Sequence, residues 1–152
     1  ADEADSDEEE AAEAEADEAE AELEAAIEVE NDLRSEIVTY ALQFVGNRYK
    51  YGGTNPNTGV DCSGFTSYVM RHAAEVELPH SSGGQSRMGR QVSSSEMRPG
   101  DIICYGSGKR INHVALYIGN GQIVHASTER TGIKVSRWNY RTPVRIVNVL
   151  GD

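Results

Sequence analysis

The sequence predicts an α+β domain with an antiparallel sheet, preceded by an acidic arm. Helical periodicity of apolar residues dominates the chain before residue 80, whereas short runs rich in Val and Ile dominate after residue 100. Helices that precede a series of strands are typical of α+β folds rather than of parallel α/β folds. At 152 residues the chain is long enough for one domain with a substantial core.

Charge divides the chain into two segments. Residues 1–32 contain 17 of the 25 acidic residues and no Lys or Arg, whereas residues 33–152 contain the other 8 acidic residues and all 14 basic ones. The second segment therefore has a net charge of +6, from 14 basic minus 8 acidic residues. Such a basic surface suits an anionic partner, and charge alone leaves cell-wall polymer, nucleic acid and membrane open.

The acidic segment, residues 1–32, is predicted to be an Ala/Glu-rich linker or a frayed helix. Residues 1–22 contain almost no bulky apolar group, so the segment buries too little surface to offset its ordering entropy. Ala and Glu favour helix, but repulsion between Glu side chains four residues apart opposes it. The longest apolar runs are far too short for a membrane-spanning helix, and stable membrane insertion is not expected.

Two helices are predicted in the first half of the domain. Apolar residues at three- and four-residue steps predict one over residues 32–45, with Asn31 or Asp32 as its N-cap and Gly46 at its end. The second begins at or just after Cys62 and ends near Val76, after a loop rich in Gly, Asn and Pro.

Five strands are predicted in the second half of the chain, from their β-branched and aromatic content. These are Asp101–Tyr105, His113–Ile118, Gln122–Ala126, Lys134–Ser136 and Val144–Leu150.

The turn Gly119-Asn120-Gly121 joins two of these strands and predicts a β-hairpin. If the turn is centred on Gly119, paired residue numbers sum to 238, and a loop one residue longer changes the sum to 239. The first register places His113 directly opposite His125, and the second makes them diagonal neighbours. Directly opposed Cβ atoms lie about 5 Å apart, so local structure alone brings the two imidazoles together.

Cys62 is predicted to lie at a helix N-terminus, where unpaired N–H groups and the helix dipole stabilise a thiolate and lower the thiol pKa. If the sheet packs against this helix, His113 is placed to take the thiol proton, and His125 to orient His113. The three residues then form the nucleophile–base–orienter arrangement of covalent catalysis.

Other interpretations of these residues are open on chemistry alone. Cys62 and Cys104 could form one disulfide, or Cys62 could be a small buried structural residue. Cys62 with His113 and His125 could also bind zinc, although no fourth ligand is evident and a metal is not expected. His72 and His80 are expected to be non-catalytic.

Five motifs in order give the sequence a specific resemblance. They are YKYGG before the cysteine, DCSGF around it, LPHSS with Gln85, MRPGD, and NHVALYIGNGQIVHAS. Together they resemble an NlpC-type cell-wall cysteine peptidase, a papain-like family of peptidoglycan endopeptidases, over residues 33–150. The resemblance implies a papain-like fold with helices on a central antiparallel sheet and the nucleophile at a helix N-terminus. It makes residues 33–152 an NlpC-type catalytic domain.

The resemblance also implies roles for individual residues. Cys62 matches the nucleophile, His113 the base and His125 the third polar residue of the family. The Cys62 backbone N–H would stabilise the oxyanion, with Tyr49 beside it as a helper that also contacts substrate.

Asp61 and Ser63 match positions that bind the free amine of an N-terminal L-Ala in family members that cut after γ-D-Glu. Asp61 could equally cap the helix, and both roles stay open. The sequence departs from the family in a loop about one residue longer over residues 53–60, in His80 where Arg is frequent, and in Cys104 where a large apolar residue is frequent.

The resemblance implies a peptidoglycan hydrolase, a cysteine endopeptidase that cleaves stem peptides at the γ-D-glutamyl–diamino acid bond through a thioester. Three alternatives are a CHAP-like amidase, an acyltransferase on the same Cys/His core, and a catalytically dormant wall-binding module. No cofactor and no nucleic acid partner are expected. A secreted, wall-associated monomer is expected. Binding of a linker or coiled-coil partner through the N-terminal arm is an open alternative.

Overall fold

The computed structural model describes the backbone of residues 2–152 and the side chains of residues 14–152. The chain divides into two compact units, residues 1–32 and residues 33–152. Three helices are present in the described residues: α1 (Asp2–Leu42), α2 (Cys62–Ala74) and α3 (Ser82–Ser86). None of them combines the length and apolar character that crossing a bilayer requires.

Eight strands form two antiparallel sheets in the described residues. They are β1 (Thr54–Asn55), β2 (Gly59–Val60), β3 (Arg90–Gln91), β4 (Ile102–Ser107), β5 (Arg110–Gly119), β6 (Gln122–Thr128), β7 (Gly132–Arg137) and β8 (Pro143–Asn148). The first two pair with each other, and the other six form one sheet in the order β3-β8-β4-β5-β6-β7. The predicted α+β class with a central antiparallel sheet is confirmed, and the five predicted strands are β4 to β8.

Helix α1 corrects one prediction. It begins at Asp2 and continues past Asn31 and Asp32, so neither residue is an N-cap. The high helix propensity of Ala and Glu prevails over the repulsion between like charges four residues apart, each of which costs only a few tenths of a kcal/mol. The helix ends at Leu42, and turns carry the chain to Gly46, whose φ of +93° favours glycine.

Helix α2 begins at Cys62, as predicted, because Asp61 caps it. The Gly64 N–H donates to Asp61 Oδ1 over 2.7 Å, which satisfies one of the unpaired groups of the first turn. The helix ends at Ala74, two residues before the predicted Val76, and Glu75 follows in the left-handed conformation with φ of 55°.

The six-stranded sheet is buried on both faces. Along β4, Ile102 and Cys104 pack on one face with residues of α1 and α2, whereas Ile103 and Tyr105 pack on the other face. This two-sided burial explains why residues Ile102–Tyr105 are a continuous apolar run instead of an alternating one. Cys104 is fully buried and, like Cys62, is a free thiol, so the disulfide alternative is excluded in this structure.

The β5–β6 hairpin has a different register from both that were predicted. The turn consists of Asn120 and Gly121 alone, so Gly119 pairs with Gln122 and these numbers sum to 241. A register shift between Tyr117 and Gly119 then makes the sum 240 along the rest of the hairpin, where Leu116 pairs with Val124. Both turn residues have positive φ, 52° and 73°, which fits a two-residue hairpin turn of the primed type. The register places His113 and His125 as diagonal neighbours on adjacent strands.

A buried ion-pair cluster connects the last turns of α1 to the loop before β4. Arg34, 2% exposed, donates to Asp101 Oδ1 over 3.0 Å and to the Pro99 carbonyl over 2.8 Å. Arg34 and Arg98 also bind the Asp152 carboxylate. The hydrogen bond from Arg34 is the main reason that the pKa of Asp152 falls to about 2.

Replacing Arg34 by Met is expected to destabilise residues 33–152 strongly. The substitution leaves Asp101, which is 1% exposed, as a buried carboxylate without its charge partner, a change that typically costs about 3–5 kcal/mol. Urea unfolding followed by circular dichroism measures the loss. Arg130→Met, at an exposed arginine, serves as the control with an expected change below about 0.5 kcal/mol. A loss below about 1 kcal/mol for Arg34→Met would show that the cluster contributes little to folding.

Candidate active site

The Cys62 thiol lies between the first turn of α2 and strand β5. Backbone N–H groups of Val114, Ser63 and Cys62 itself favour its thiolate form, which places the sulfur next to the strand residue that follows His113. The thiol is partly buried. The structure therefore brings the helix start and the His113 strand together, as the sequence interpretation requires.

Burial raises the pKa of the Cys62 thiol, and the charge of Asp61 adds to this effect. The backbone N–H groups offset only part of the shift. The N–H groups at the helix start thus lower this pKa in the expected direction, but the loss of water around the sulfur is the larger effect, and the net shift of the pKa is upward.

The two predicted histidines are in direct contact. His113 Nε2 and His125 Nδ1 are 2.8 Å apart, and the two rings meet at an interplanar angle of 71°. Burial, with the Arg141 charge, lowers the pKa of His113 to about 4. Burial, with the charges of His113 and Lys134, lowers the pKa of His125 to about 3. Both imidazoles are therefore neutral at pH 7.

Ser136 extends this contact into a chain of three side chains. Its Oγ is 2.9 Å from His125 Nε2, on the side of the ring opposite to His113. Ser136 lies on β7, whose neighbour in the sheet is β6, so the adjacent strand supplies the hydroxyl. No local sequence pattern identifies this residue, because only the β6–β7 register indicates that a serine there lies beside His125.

Tyr49 lies near the thiol. It forms an isolated β-bridge with Val60, two residues before Cys62. Burial raises the pKa of its phenol, and the charges of Cys62 and Asp61 raise it further, so Tyr49 carries its proton beside the sulfur.

Asp61 is surrounded by donors from the protein itself. Its Oδ1 accepts from the Gly64 N–H and lies 2.8 Å from His80 Nε2, with the Ser63 hydroxyl at 3.4 Å. Its Oδ2 accepts from the Gly52 N–H over 3.1 Å. The capping role of Asp61 is thus observed, while Ser63 is buried behind it.

His80 and Gln85 connect the segment after α2 to the candidate site. His80 was expected to be non-catalytic, and its contact with Asp61 places it beside the residue that precedes Cys62. Gln85 is fully buried, and its amide donates to the Ser63 carbonyl over 2.9 Å, which holds α3 against the start of α2. In the sequence, the one signal for the location of His80 near the site is its position in the motif LPHSS.

Two tyrosines that were not predicted lie beside the histidines, Tyr140 from the segment between β7 and β8 and Tyr105 from β4. The Tyr140 ring lies 5.3 Å from the His125 ring and 5.3 Å from the Tyr105 ring, and Tyr105 lies 5.9 Å from His113. Arg141 follows in the chain and donates to Asn112 Oδ1 over 3.0 Å. No sequence pattern predicts that Tyr140 and Arg141 lie near the histidines, because the position of an irregular loop depends on the tertiary structure.

A metal site is not evident at these residues. Among the side chains of residues 14–152, no group of three His, Cys, Asp or Glu residues is arranged to hold an ion.

Comparisons with known proteins agree with this geometry. Two bacterial proteins are similar in sequence. The chain is 41% identical over 108 residues to the murein DD-endopeptidase MepS/murein LD-carboxypeptidase of Escherichia coli K12, covering 71% of this chain and 56% of that protein. It is 42% identical over 98 residues to the probable endopeptidase p60 of Listeria seeligeri, covering 64% of this chain and 18% of that protein. The chain thus spans about half or less of these curated relatives.

Solved structures of similar fold include the NlpC/p60 domain of the peptidoglycan hydrolase SagA, with a TM-score of 0.70 and 32% identity over 76% of this chain and 97% of that one. The peptidoglycan hydrolase RipB of Mycobacterium tuberculosis has a TM-score of 0.71 and 28% identity over 80% of this chain and 67% of that one. The family model for NlpC/P60 matches residues 46–146, which include Cys62, His113 and His125. On the family model, the sequence identities and the fold together, the chain belongs to the NlpC/P60 family.

Proposed function

We propose that this chain is a peptidoglycan hydrolase, a cysteine endopeptidase that cleaves stem peptides of the cell wall. The observation that carries the proposal is the Cys62 thiol at a helix start, against the strand that bears the His113–His125 pair. The names of two similar proteins, a murein DD-endopeptidase and a peptidoglycan hydrolase, support the same reaction class. Residues 33–152 are the proposed catalytic domain, residues 1–32 a spacer, and the cell wall outside the cell the proposed location.

The proposed reaction starts from a neutral thiol and a neutral imidazole. The Cys62 sulfur attacks the scissile carbonyl carbon, and its proton passes to His113 Nδ1, the ring nitrogen that does not face His125. The Cys62 backbone N–H and Tyr49 stabilise the oxyanion. When the C–N bond breaks, His113 gives the proton to the leaving amine. Water then hydrolyses the thioester with His113 as the base.

The His113–His125–Ser136 chain supports this reaction through its proton arrangement. If His113 Nε2–H donates to His125 Nδ1, then His125 Nε2–H donates to the Ser136 hydroxyl. Only this arrangement leaves His113 Nδ1 with a lone pair for the thiol proton. Ser136 is thus proposed as a positioning residue, which favours the productive tautomer of both rings without contact to substrate.

Two bonds are candidates for cleavage. The γ-D-glutamyl–diamino acid bond is the first, on the family pattern of Asp61 and Ser63 as ligands for a free L-Ala amine. The second is a D,D-peptide bond in wall cross-links. The name of the Escherichia coli relative, a murein DD-endopeptidase, supports the second candidate. The contacts of Asp61 with Gly64, Gly52 and His80 count against the first, because they occupy lone pairs that an amine would need.

Digestion of defined muropeptides, weighed by mass spectrometry, tests the function and separates the two bonds. The substrates are a free stem peptide with an L-Ala amine, its sugar-linked form and a cross-linked dimer. Cleavage of one of these is expected, with losses of about 10³-fold or more in Cys62→Ala and His113→Ala. His72→Ala changes an exposed histidine of α2 and is the matched control with activity retained.

Cleavage of the sugar–peptide amide would instead assign an amidase, and a product that retains an acyl group would assign a transferase. No turnover of any substrate, together with retained wall binding, would identify a dormant binding module and contradict the proposal.

Alkylation of Cys62 by iodoacetamide is expected to keep accelerating as pH rises through about 8. The reason is that burial raises the thiol pKa and lowers the pKa of His113 to about 4, so a thiolate–imidazolium pair does not form in the free enzyme at pH 6. Cys104, whose pKa burial raises to about 12, should not react, and Cys62→Ser provides the blank. A rate that is already level at pH 6 would show that the ion pair exists before substrate binds.

Ser136→Ala is expected to lower kcat about five- to tenfold at unchanged KM, the equivalent of one lost hydrogen bond of about 1–1.5 kcal/mol. Ser136→Thr keeps the hydroxyl and should stay within about twofold of the parent. ¹⁵N chemical shifts of His125 report the tautomer directly, and the alanine variant should show loss of the Nε2–H form. Unchanged shifts and unchanged kcat in Ser136→Ala would reject the positioning role.

A further inference from the structure

A basic groove lies on the domain apart from the residues discussed so far. Its volume is about 400 Å³. We call this site the basic groove, and its lining residues are Ser86, Arg87, Lys109, Ile111, Val144 and Arg145.

Three cationic side chains reach the groove from three separate parts of the chain. Arg87 follows α3, Lys109 lies in the turn between β4 and β5, and Arg145 lies on β8. The lining contains no Asp or Glu. Like charges brought together without a counter-charge repel one another, so the groove has the electrostatics of an anion site.

Arg145 provides a second observation that points to a missing partner. Its Nε is buried, and it finds no hydrogen-bond partner among the described residues. On the neighbouring strand, its pairing partner Cys104 is fully buried, and burial keeps that thiol neutral, so the thiol supplies no counter-charge. An unpaired buried N–H is costly, and native structures usually satisfy it by protein, water or ligand.

The chemistry of a guanidinium narrows the class of ligand. Nε–H and one Nη–H lie along the same edge of the group, and together they match two oxygens of a carboxylate or phosphate. The apolar side chains of Ile111 and Val144 complete the lining, which suits an oxyanion carried on an organic chain.

The groove and the candidate active site share strand β5. Ile111, a lining residue, lies two positions before His113 on β5. The pairing of β4 with β5 is irregular between these two positions, because Tyr105 pairs with His113 and Gly106 pairs with Ile111. Both positions nevertheless lie at the beginning of β5, so a peptide that binds across the beginning of this strand is the substrate segment considered for the groove.

We propose that the basic groove binds an oxyanion of the substrate, namely a carboxylate of the stem peptide, and so acts as a specificity subsite. This inference rests on the proposed function, because the ligand class follows from a peptide substrate. Arg145 forms the bidentate contact, and Arg87 and Lys109 add charge.

The test uses the full chain with Cys62→Ala, so that binding is measured without turnover. NMR follows the Arg145 Nε–H signal at constant ionic strength, which keeps charge screening fixed. The probes are a stem tripeptide with free carboxylates, the same peptide with its carboxylates amidated, and inorganic phosphate. The free-carboxylate peptide is expected to shift the signal saturably, and the amidated peptide at least about tenfold more weakly.

Variants locate the binding. Arg145→Gln is expected to weaken affinity for the free-carboxylate peptide about tenfold, followed through backbone amide signals of Ser86 and Ile111. The double variant Arg87→Gln/Lys109→Gln changes only exposed residues and should weaken it at least about threefold, so the test stands even if Arg145→Gln misfolds. Arg137→Gln, at an exposed arginine of β7, is the control without effect.

Three results would overturn the inference. They are a lack of any shift at Arg145 Nε, equal binding of the free and amidated peptides, and binding of phosphate without the peptide. The last would assign the groove to a phosphate-bearing ligand in place of the substrate. The assay measures binding in an inactive variant, so it does not depend on hydrolysis by the parent chain. Failure of the proposed function and failure of this inference can therefore be distinguished.

Discussion

The start of helix α2 is the constraint on which the candidate site depends. Asp61 caps the helix, and its carboxylate also binds the Gly52 N–H and His80, so one side chain connects the preceding loop, the helix and the segment after it. The approach is so close that a Cβ on Gly64 would lie 2.2 Å from the Gly53 carbonyl oxygen. Cys62 is therefore fixed by backbone packing on one side and by strand β5 on the other.

Burial then determines the protonation of the site. The thiol, both imidazoles and the Tyr49 phenol all shift toward their neutral forms, and burial is the largest cause for each. In a neutral imidazole one ring nitrogen donates a hydrogen bond and the other accepts one. The hydrogen bonds of the His113–His125–Ser136 chain therefore all run in the same direction. In the proposed reaction, the charge separation that nucleophilic attack requires is made when substrate binds and is limited to the reacting atoms.

Charge outside the site is organised on a larger scale. The net +6 of residues 33–152 includes buried pairs such as Arg34 with Asp101, which hold the fold, and surface cations that do not pair in this way. The basic groove brings three further cations together, those of Arg87, Lys109 and Arg145. The sequence thus gives the size of the positive charge excess, and only the folded domain shows where on the molecule these charges lie.

The sequence by itself determined the fold class, the five main strands, the start of α2 and the closeness of His113 to His125, because periodicity, capping and turn residues act locally. It did not determine the hairpin register, where Asn120 and Gly121 form the whole turn, nor the continuity of α1 through Asp32. Only the tertiary structure decided that Ser136, Tyr140 and His80 meet the site and that the Cys62 pKa rises. These features depend on contacts between residues distant in the chain and on the exclusion of water, and neither is encoded in a local pattern.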